Sequence, residues 1–225
     1  MRGKVLLFDM DGTLIDSTEL IEEIWHRWAD RHGIDGNAVL AKSHGRQAGE
    51  TVRLFAPEGI DHDMETAWFN EQAARGTARI KAVPGAREFL AGLAPHEWAI
   101  VTSGKRSLAA EWLAVAGLPQ PAAFIAAEDV SRSKPDPEGY RAAARLLGCD
   151  ASEAIVFEDA QAGMEAGRRA GARIVGIGPS DHLSHLAHLA DVWISDFREI
   201  EALRDASGGF RLAFREPLTP GRLHG

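Results

Sequence analysis

Asp9 and Asp11, separated by Met10 alone, stand at the end of an apolar run, in VLLFDMDGT (5–13). Two further sets of polar groups follow apolar runs of the same kind, and a lysine stands in a proline-flanked loop before a helix. Thr102 and Ser103 come after WAIV (98–101), Lys134 lies in SKPDP (133–137), and Glu158 and Asp159 come after AIVF (154–157). A carboxylate can attack phosphorus, carry a proton or hold a cation, while an ammonium and two hydroxyls can hold an anion. If Asp9, Asp11, Glu158 and Asp159 share one crevice, each close pair repels by about 4 kcal/mol at ~4 Å and an effective dielectric of ~20. Such a cluster calls for a cation, and hard carboxylate oxygens favour Mg2+. With Lys134, Thr102 and Ser103 beside it, the site would suit a phosphate group, and the chemistry would be phosphoryl transfer.

Taken singly, each group has a plainer reading. Asp-x-Asp-Gly is also a turn signal, and metal-dependent glycosyltransferases use an Asp-x-Asp for sugar nucleotides. Thr102-Ser103-Gly104 suits a helix cap, Lys134 a solvated surface, and Glu158-Asp159 an acidic helix start. Their joint occurrence, in order and at topologically equivalent positions, is what favours chemistry.

The elements that must position these groups are legible in the pattern. VLLF (5–8), WAIV (98–101), AIVF (154–157), RIVGI (173–177) and DVWI (191–194) read as parallel strands buried on both faces. Segments 84–93, 105–116, 137–147 and 160–170 read as the helices between them, which predicts an α/β fold with an open, doubly wound parallel sheet. In such sheets the ligand crevice lies at the carboxyl ends of the strands, where all four groups fall. Residues 16–83 differ: amphipathic segments near 17–32, 47–56 and 62–75 predict a helical insertion, with Ile21, Ile24, Trp25 and Trp28 on one buried face. The expected division is a discontinuous core of 1–15 and 84–225 with a helical cap of 16–83. Residues 205–225, rich in Gly and Pro, read as an irregular tail in which FRLAF (210–214) suits an edge strand.

Composition narrows the partners. The chain has 225 residues, with 25 Lys and Arg against 33 Asp and Glu, a formal charge of −8. That sign disfavours nucleic acid and anionic membrane, and no run reaches the ~18 apolar residues of a membrane span. Cys149 is the only cysteine, which excludes an internal disulfide and fits a cytoplasmic setting.

DMDGT (9–13), VTSG (101–104), KPDP (134–137) and FEDAQAG (157–163) together resemble the four ordered motifs of the haloacid dehalogenase superfamily. The resemblance spans nearly the whole core. It implies a Rossmann-like core with an α-helical cap inserted after the first motif. It also implies that Asp9 is the nucleophile, forming an aspartyl-phosphate, and that Asp11 is the acid and base. Asp9, the Asp11 backbone carbonyl and Asp159 would hold Mg2+, with Glu158 in or next to that shell, and Thr102 and Lys134 would bind phosphate.

Within the superfamily, an acid at position 11 favours a phosphate ester over a carbon–halogen or phosphonate bond. The relatives of β-phosphoglucomutase type carry a cap lysine before a glycine and an arginine four residues later. Here those positions are His44 and Ala48, so hydrolysis is expected over a mutase reaction. SHGR (43–46), VPGA (83–86), WAIVTSG (98–104), EDV (128–130) and KPDPEGY (134–140) are similar to the group containing 2-deoxyglucose-6-phosphate and glycerol-3-phosphate phosphatases. The resemblance implies a monomeric phosphatase of small sugar or polyol monophosphates, with phosphoglycolate as an alternative and a non-catalytic binding role as the least expected. His44 and Arg46 are candidates for touching the substrate's organic part, against the plainer reading of a polar turn. His182, His185 and His188, three apart, suit a solvated helix face better than a zinc site.

Overall fold

The computed structural model describes residues 1–179, 186–205 and 208–215. Its centre is a parallel sheet in the order β6-β5-β2-β7-β8-β9. These strands are β2 (Val5–Phe8), β5 (Trp98–Val101), β6 (Ala123–Ile125), β7 (Ala154–Glu158), β8 (Arg173–Ile177) and β9 (Val192–Ile194). Strand β2 is central, with Phe8 opposite Ile100 on one side and Phe157 on the other.

The two-residue period of β2 divides the core. Leu6 and Phe8 join one apolar cluster, and Val5 and Leu7 join the other. The first face is covered by α5 (Ala86–Ala91) and α6 (Arg106–Val115), and is dense in aromatics. Phe8 stacks on Phe157 with ring centroids 4.7 Å apart and meets Trp98 edge-on at 5.9 Å. The second face is smaller-grained. Helix α7 (Glu138–Leu146) buries Tyr140, Ala143 and Ala144, and α8 (Gln161–Ala170) buries Met164, Ala166 and Ala170.

After β2 the chain turns sharply. The Met10 carbonyl accepts from the N–H groups of Leu14 (2.9 Å) and Ile15 (3.0 Å), and Gly12 takes φ +81°. The short strands β3 (Ile15–Asp16) and β4 (Lys81–Ala82) then pair antiparallel, and between them lie four helices. These are α1 (Thr18–His32), α2 (Gly36–Ser43), α3 (Ala48–Phe55) and α4 (His62–Arg75). Gly33 ends α1 in the left-handed conformation, and the Asp35 and Asp61 side chains cap α2 and α4. Ile24, Trp25, Trp28, Val39, Val52 and Phe69 pack between these helices, with Trp25 4.3 Å from Phe69 between ring centroids. Glu65 ties α4 to α1 by accepting from Trp28 Nε1 at 2.8 Å and pairing with His32 Nε2 at 3.0 Å.

Several elements are not legible in the sequence pattern. Helix α2 is short, and β6 has only three residues behind a Pro-rich approach, so neither leaves a full period. Strand β10 (Ile200–Arg204) is made of IEALR, mostly good helix formers, yet it pairs along its length with β11 (Phe210–Phe214). Strand β11 also pairs with β1 (Arg2–Gly3), so FRLAF is the middle of a three-stranded antiparallel sheet rather than an edge or an irregular tail. His182 and His185 lie outside the described residues, while His188 is exposed.

Glu97 anchors this second sheet to the core. Arg204 donates to it through Nε at 2.9 Å and Nη2 at 2.7 Å, and its other partner is the Ala94 N–H at 2.5 Å. Donation from Arg204 outweighs burial and holds the Glu97 carboxyl below its usual range. A depressed carboxyl stabilises the fold above its unfolded value of about 4.3 and loses that contribution as pH falls through the folded value. Glu97→Gln should therefore lower stability by about 1 kcal/mol near pH 7, since the guanidinium is half exposed. Urea unfolding of both proteins should show the gap closing below about pH 4; a gap independent of pH would contradict this.

Candidate active site

The carboxyl ends of β2, β5 and β7 and the loop before α7 bring the predicted core residues to one edge of the sheet. Asp9 continues the ladder of β2, its N–H donating to the Phe157 carbonyl at 3.0 Å, and is 4% exposed. Lys134 is 5% exposed. Its ammonium contacts the Asp9 carboxylate and donates to Glu158 Oε1 at 2.7 Å and to the Val101 carbonyl at 3.0 Å. All three of its protons are thereby used.

Glu158 is fully buried and fully bonded. Oε1 also accepts from the Tyr140 hydroxyl at 2.7 Å, and Oε2 accepts the N–H groups of Asp159 and Ala160, each at 3.1 Å. Four donors therefore meet its two oxygens. The side chain lies against α8 where only a glycine fits, because a Cβ on Gly163 would stand 1.5 Å from Glu158 Oε1. Gly12 is equally constrained: a Cβ there would lie 2.1 Å from Asp159 Oδ2, and its φ is positive.

Two hydroxyls that the sequence reading did not single out orient the remaining carboxylates. Ser17 donates to Asp11 Oδ1 at 2.7 Å, and Thr13 donates to Asp159 Oδ1 at 3.0 Å. Both lie in the stretch that begins with DMDGT, two and six residues beyond Asp11, but the turn that folds them back is a tertiary feature. Thr102 lies 3.4 Å from Asp11 Oδ2 and accepts the Gly104 N–H at 3.0 Å. Ser103 donates its proton to the Gly45 carbonyl at 2.8 Å, so its hydroxyl bridges to the helical segment. Gln47 to the Ala127 carbonyl (3.2 Å) and Glu50 to Ser133 are two more such bridges.

The electrostatics follow from burial. Asp9 is raised well above the usual carboxylate range, first by burial and then by Glu158, Asp159 and Asp11, with Lys134 opposing. Asp159 is pushed up to about 8 by burial and the Glu158 charge, and Asp11 is raised by burial against the Ser17 hydrogen bond. Burial disfavours the charge on Lys134, but the Asp9 and Glu158 carboxylates prevail and lift it above the usual lysine value. One ammonium facing so many carboxyls leaves the site short of positive charge. Asp9, Glu158 and Asp159 offer oxygens all within 4.8 Å of one another, a hard donor set that fits a divalent cation. Asp9 and Asp159 are the better donors, since both Glu158 oxygens are already engaged.

A cavity of about 270 Å³ opens from Asp9, Asp11 and Asp159 toward the helices. His44 and Arg46 both line it, with Ala48 close by in sequence. His44 Nε2 is 3.5 Å from the Glu22 carboxylate. The arrangement offers a carboxylate nucleophile beside an ammonium, a second carboxyl biased toward its protonated form, and room for an organic group.

A model of the haloacid dehalogenase-like hydrolases matches residues 6–177. The chain belongs to that family. Hexitol phosphatase A of Escherichia coli is 42% identical over 186 residues, 80% of this chain and 86% of the relative. The 2-deoxyglucose-6-phosphate phosphatase 2 of Saccharomyces cerevisiae is 32% identical over 95% of this chain and 96% of its own. Among solved structures, a hydrolase from Pseudomonas syringae superposes with a TM-score of 0.74 at 27% identity, over 85% of this chain and 92% of that one. The family's Rossmann-like core is the parallel sheet described above.

The buried bonding of Glu158 has a direct test. Tyr140→Phe keeps the ring and removes one donor, leaving a buried acceptor short of a partner. The variant should lose about 1–3 kcal/mol in urea unfolding. A loss below about 0.5 kcal/mol would mean that the Tyr140 hydroxyl is not needed there.

Proposed function

We propose that the protein is a Mg2+-dependent phosphatase of small sugar or polyol monophosphates that works through an aspartyl-phosphate on Asp9. The observation that carries this reading is Asp9 buried against Lys134, with Asp11 two residues on and facing the same cavity. The family membership and the named phosphatases among the relatives support it.

In this reading Asp9, Asp159 and the Asp11 backbone carbonyl hold the ion, with Glu158 beside them. When bound, Mg2+ supplies positive charge against the phosphoryl oxygens. An oxygen of Asp9 attacks phosphorus, and the ester oxygen departs with the proton of Asp11. The raised pKa of Asp11 suits that donation. Once Asp9 is esterified it loses its negative charge, and the Lys134 proton that faced it turns to a phosphoryl oxygen. The Glu158 and Val101 bonds keep the ammonium in place through that change. Asp11, now a carboxylate, takes a proton from water as the water attacks phosphorus, which releases phosphate and restores Asp9. Thr102, and Ser103 when freed from Gly45, supply hydroxyl donors to the phosphate.

Residues 16–83 act in this reading as a cap on the core of 1–15 and 84–225, turning on the β3–β4 pair. Its three bridges to the core would hold it closed and keep bulk water out. Crystals grown with and without orthovanadate should place α1–α4 differently against the sheet. Identical placement in both, with the cavity open to solvent, would discard the cap role.

Activity should appear as Mg2+-dependent release of p-nitrophenol from p-nitrophenyl phosphate. Asp9→Asn should remove it, and Asp11→Asn should lower kcat by at least about 100-fold while Mg2+ binding by calorimetry survives. Full activity in Asp9→Asn would overturn the proposal, and loss of Mg2+ binding in Asp11→Asn would overturn the backbone-carbonyl assignment.

A further inference from the structure

One stripe of α4 faces the same cavity as the catalytic carboxylates. Asp63, Thr66, Asn70 and Ala73 line it at steps of three and four residues, the spacing of a single helix face. Arg53 of α3 lines it too. The hydrogen-bonding capacity of this wall is only partly used within the protein. Thr66 gives its proton to the His62 carbonyl at 2.7 Å, which leaves the oxygen free to accept. Asn70 gives one N–H to the Thr66 carbonyl at 2.8 Å, which leaves its carbonyl and a second N–H. Among the described residues, the Asp63 carboxylate and the Arg53 guanidinium have no side-chain partner. Ile21 of α1 and Leu108 of α6, both half-buried, add apolar surface to the cavity lining.

Donors and acceptors set side by side suit neutral hydroxyls, each of which gives one proton and accepts others. A short substrate ending in a carboxylate would call for donors alone. Size points the same way. About 270 Å³ of the cavity is open to the centre of a water-sized sphere, many times the ~10–15 Å³ that a single water needs, so it runs well past the space of one phosphate group. A substrate that ends close to its phosphate would leave this wall without a partner.

We propose that the α4 stripe, with Asn70 at its centre, reads the distal hydroxyls of the substrate. The protein then acts on monophosphates of six-carbon polyols or sugars in preference to three-carbon or two-carbon esters. Ile21 and Leu108 pack against the carbon chain, while Asp63, Thr66 and Asn70 meet its far oxygens. The proposal rests on the phosphatase reading above and specifies its substrate.

The test is phosphate release from a ladder of esters: phosphoglycolate, glycerol 3-phosphate, erythritol 4-phosphate, and sorbitol 6-phosphate with glucose 6-phosphate at the long end. For the natural chain, kcat/KM should rise on the order of 100-fold from the three-carbon to the six-carbon esters. In Asn70→Ala, checked for folding by its melting temperature, the ratio of six-carbon to three-carbon kcat/KM should shrink about tenfold. A flat or inverted ladder in the natural chain would overturn the proposal and leave the phosphatase reading standing. So would an unchanged ratio in a folded Asn70→Ala. Failure to hydrolyse any ester in the ladder, or p-nitrophenyl phosphate, would instead remove the phosphatase reading and this inference with it.

Discussion

The ammonium of Lys134 sits where three chain segments meet, between the carboxylates of Asp9 and Glu158 and under the carbonyl of Val101. A lysine buried to this degree is tolerable only because opposite charge surrounds it, and each carboxylate is tolerable only because the lysine is there. The remaining bonds of Glu158, to the Tyr140 hydroxyl and two backbone N–H groups, fix the anion that fixes the cation. The position of Asp9 relative to any phosphate thus depends on a chain of buried contacts reaching back into α7. Replacing one partner of such a set leaves an uncompensated charge, so the site is held as a unit.

Glycine makes this density of charge possible. Gly12 lets the chain leave β2 past the Asp159 carboxylate, and Gly163 lets α8 start directly beside Glu158. Ser17 and Thr13 then return from the turn to hold Asp11 and Asp159. The carboxylates are crowded by the backbone path, and the excess of negative charge that results is the feature that favours a divalent cation. Above this floor, Ser103, Gln47 and Glu50 bridge core loops to the α2–α3 region, so the upper wall of the cavity bears on the loops that carry Thr102 and Lys134.

Much of the core could be read in advance because its strands are buried on both faces. VLLF, WAIV, AIVF and RIVGI are unbroken apolar runs with helical segments between them, and that pattern has few folded solutions. The elements that escaped reading are those whose local sequence is ambiguous. Residues 200–204 have helix-forming side chains and become strand β10 only because β11 supplies a partner, and β11 in turn needs β1 from the other end of the chain. Ala123–Ile125 is too short for a period, and its strand exists because Val101 and its neighbours in β5 offer a ladder.

The site divides along the same line. The amino-acid sequence by itself determined which groups are available and in what order: the aspartate pair, the hydroxyls after the second run and the acidic pair, each at a strand end, and the proline-flanked lysine in a loop before a helix. Those features are local, set by residue type and by the direction that parallel strands share. Only the tertiary structure decided which group bonds to which. It saturated Glu158, turned the Ser103 proton toward Gly45, and brought Tyr140, Thr13, Ser17 and the α4 stripe into the cavity's surroundings. A hydrogen bond depends on distances of a few ångströms between segments far apart in the chain, and residue order alone carries no record of them.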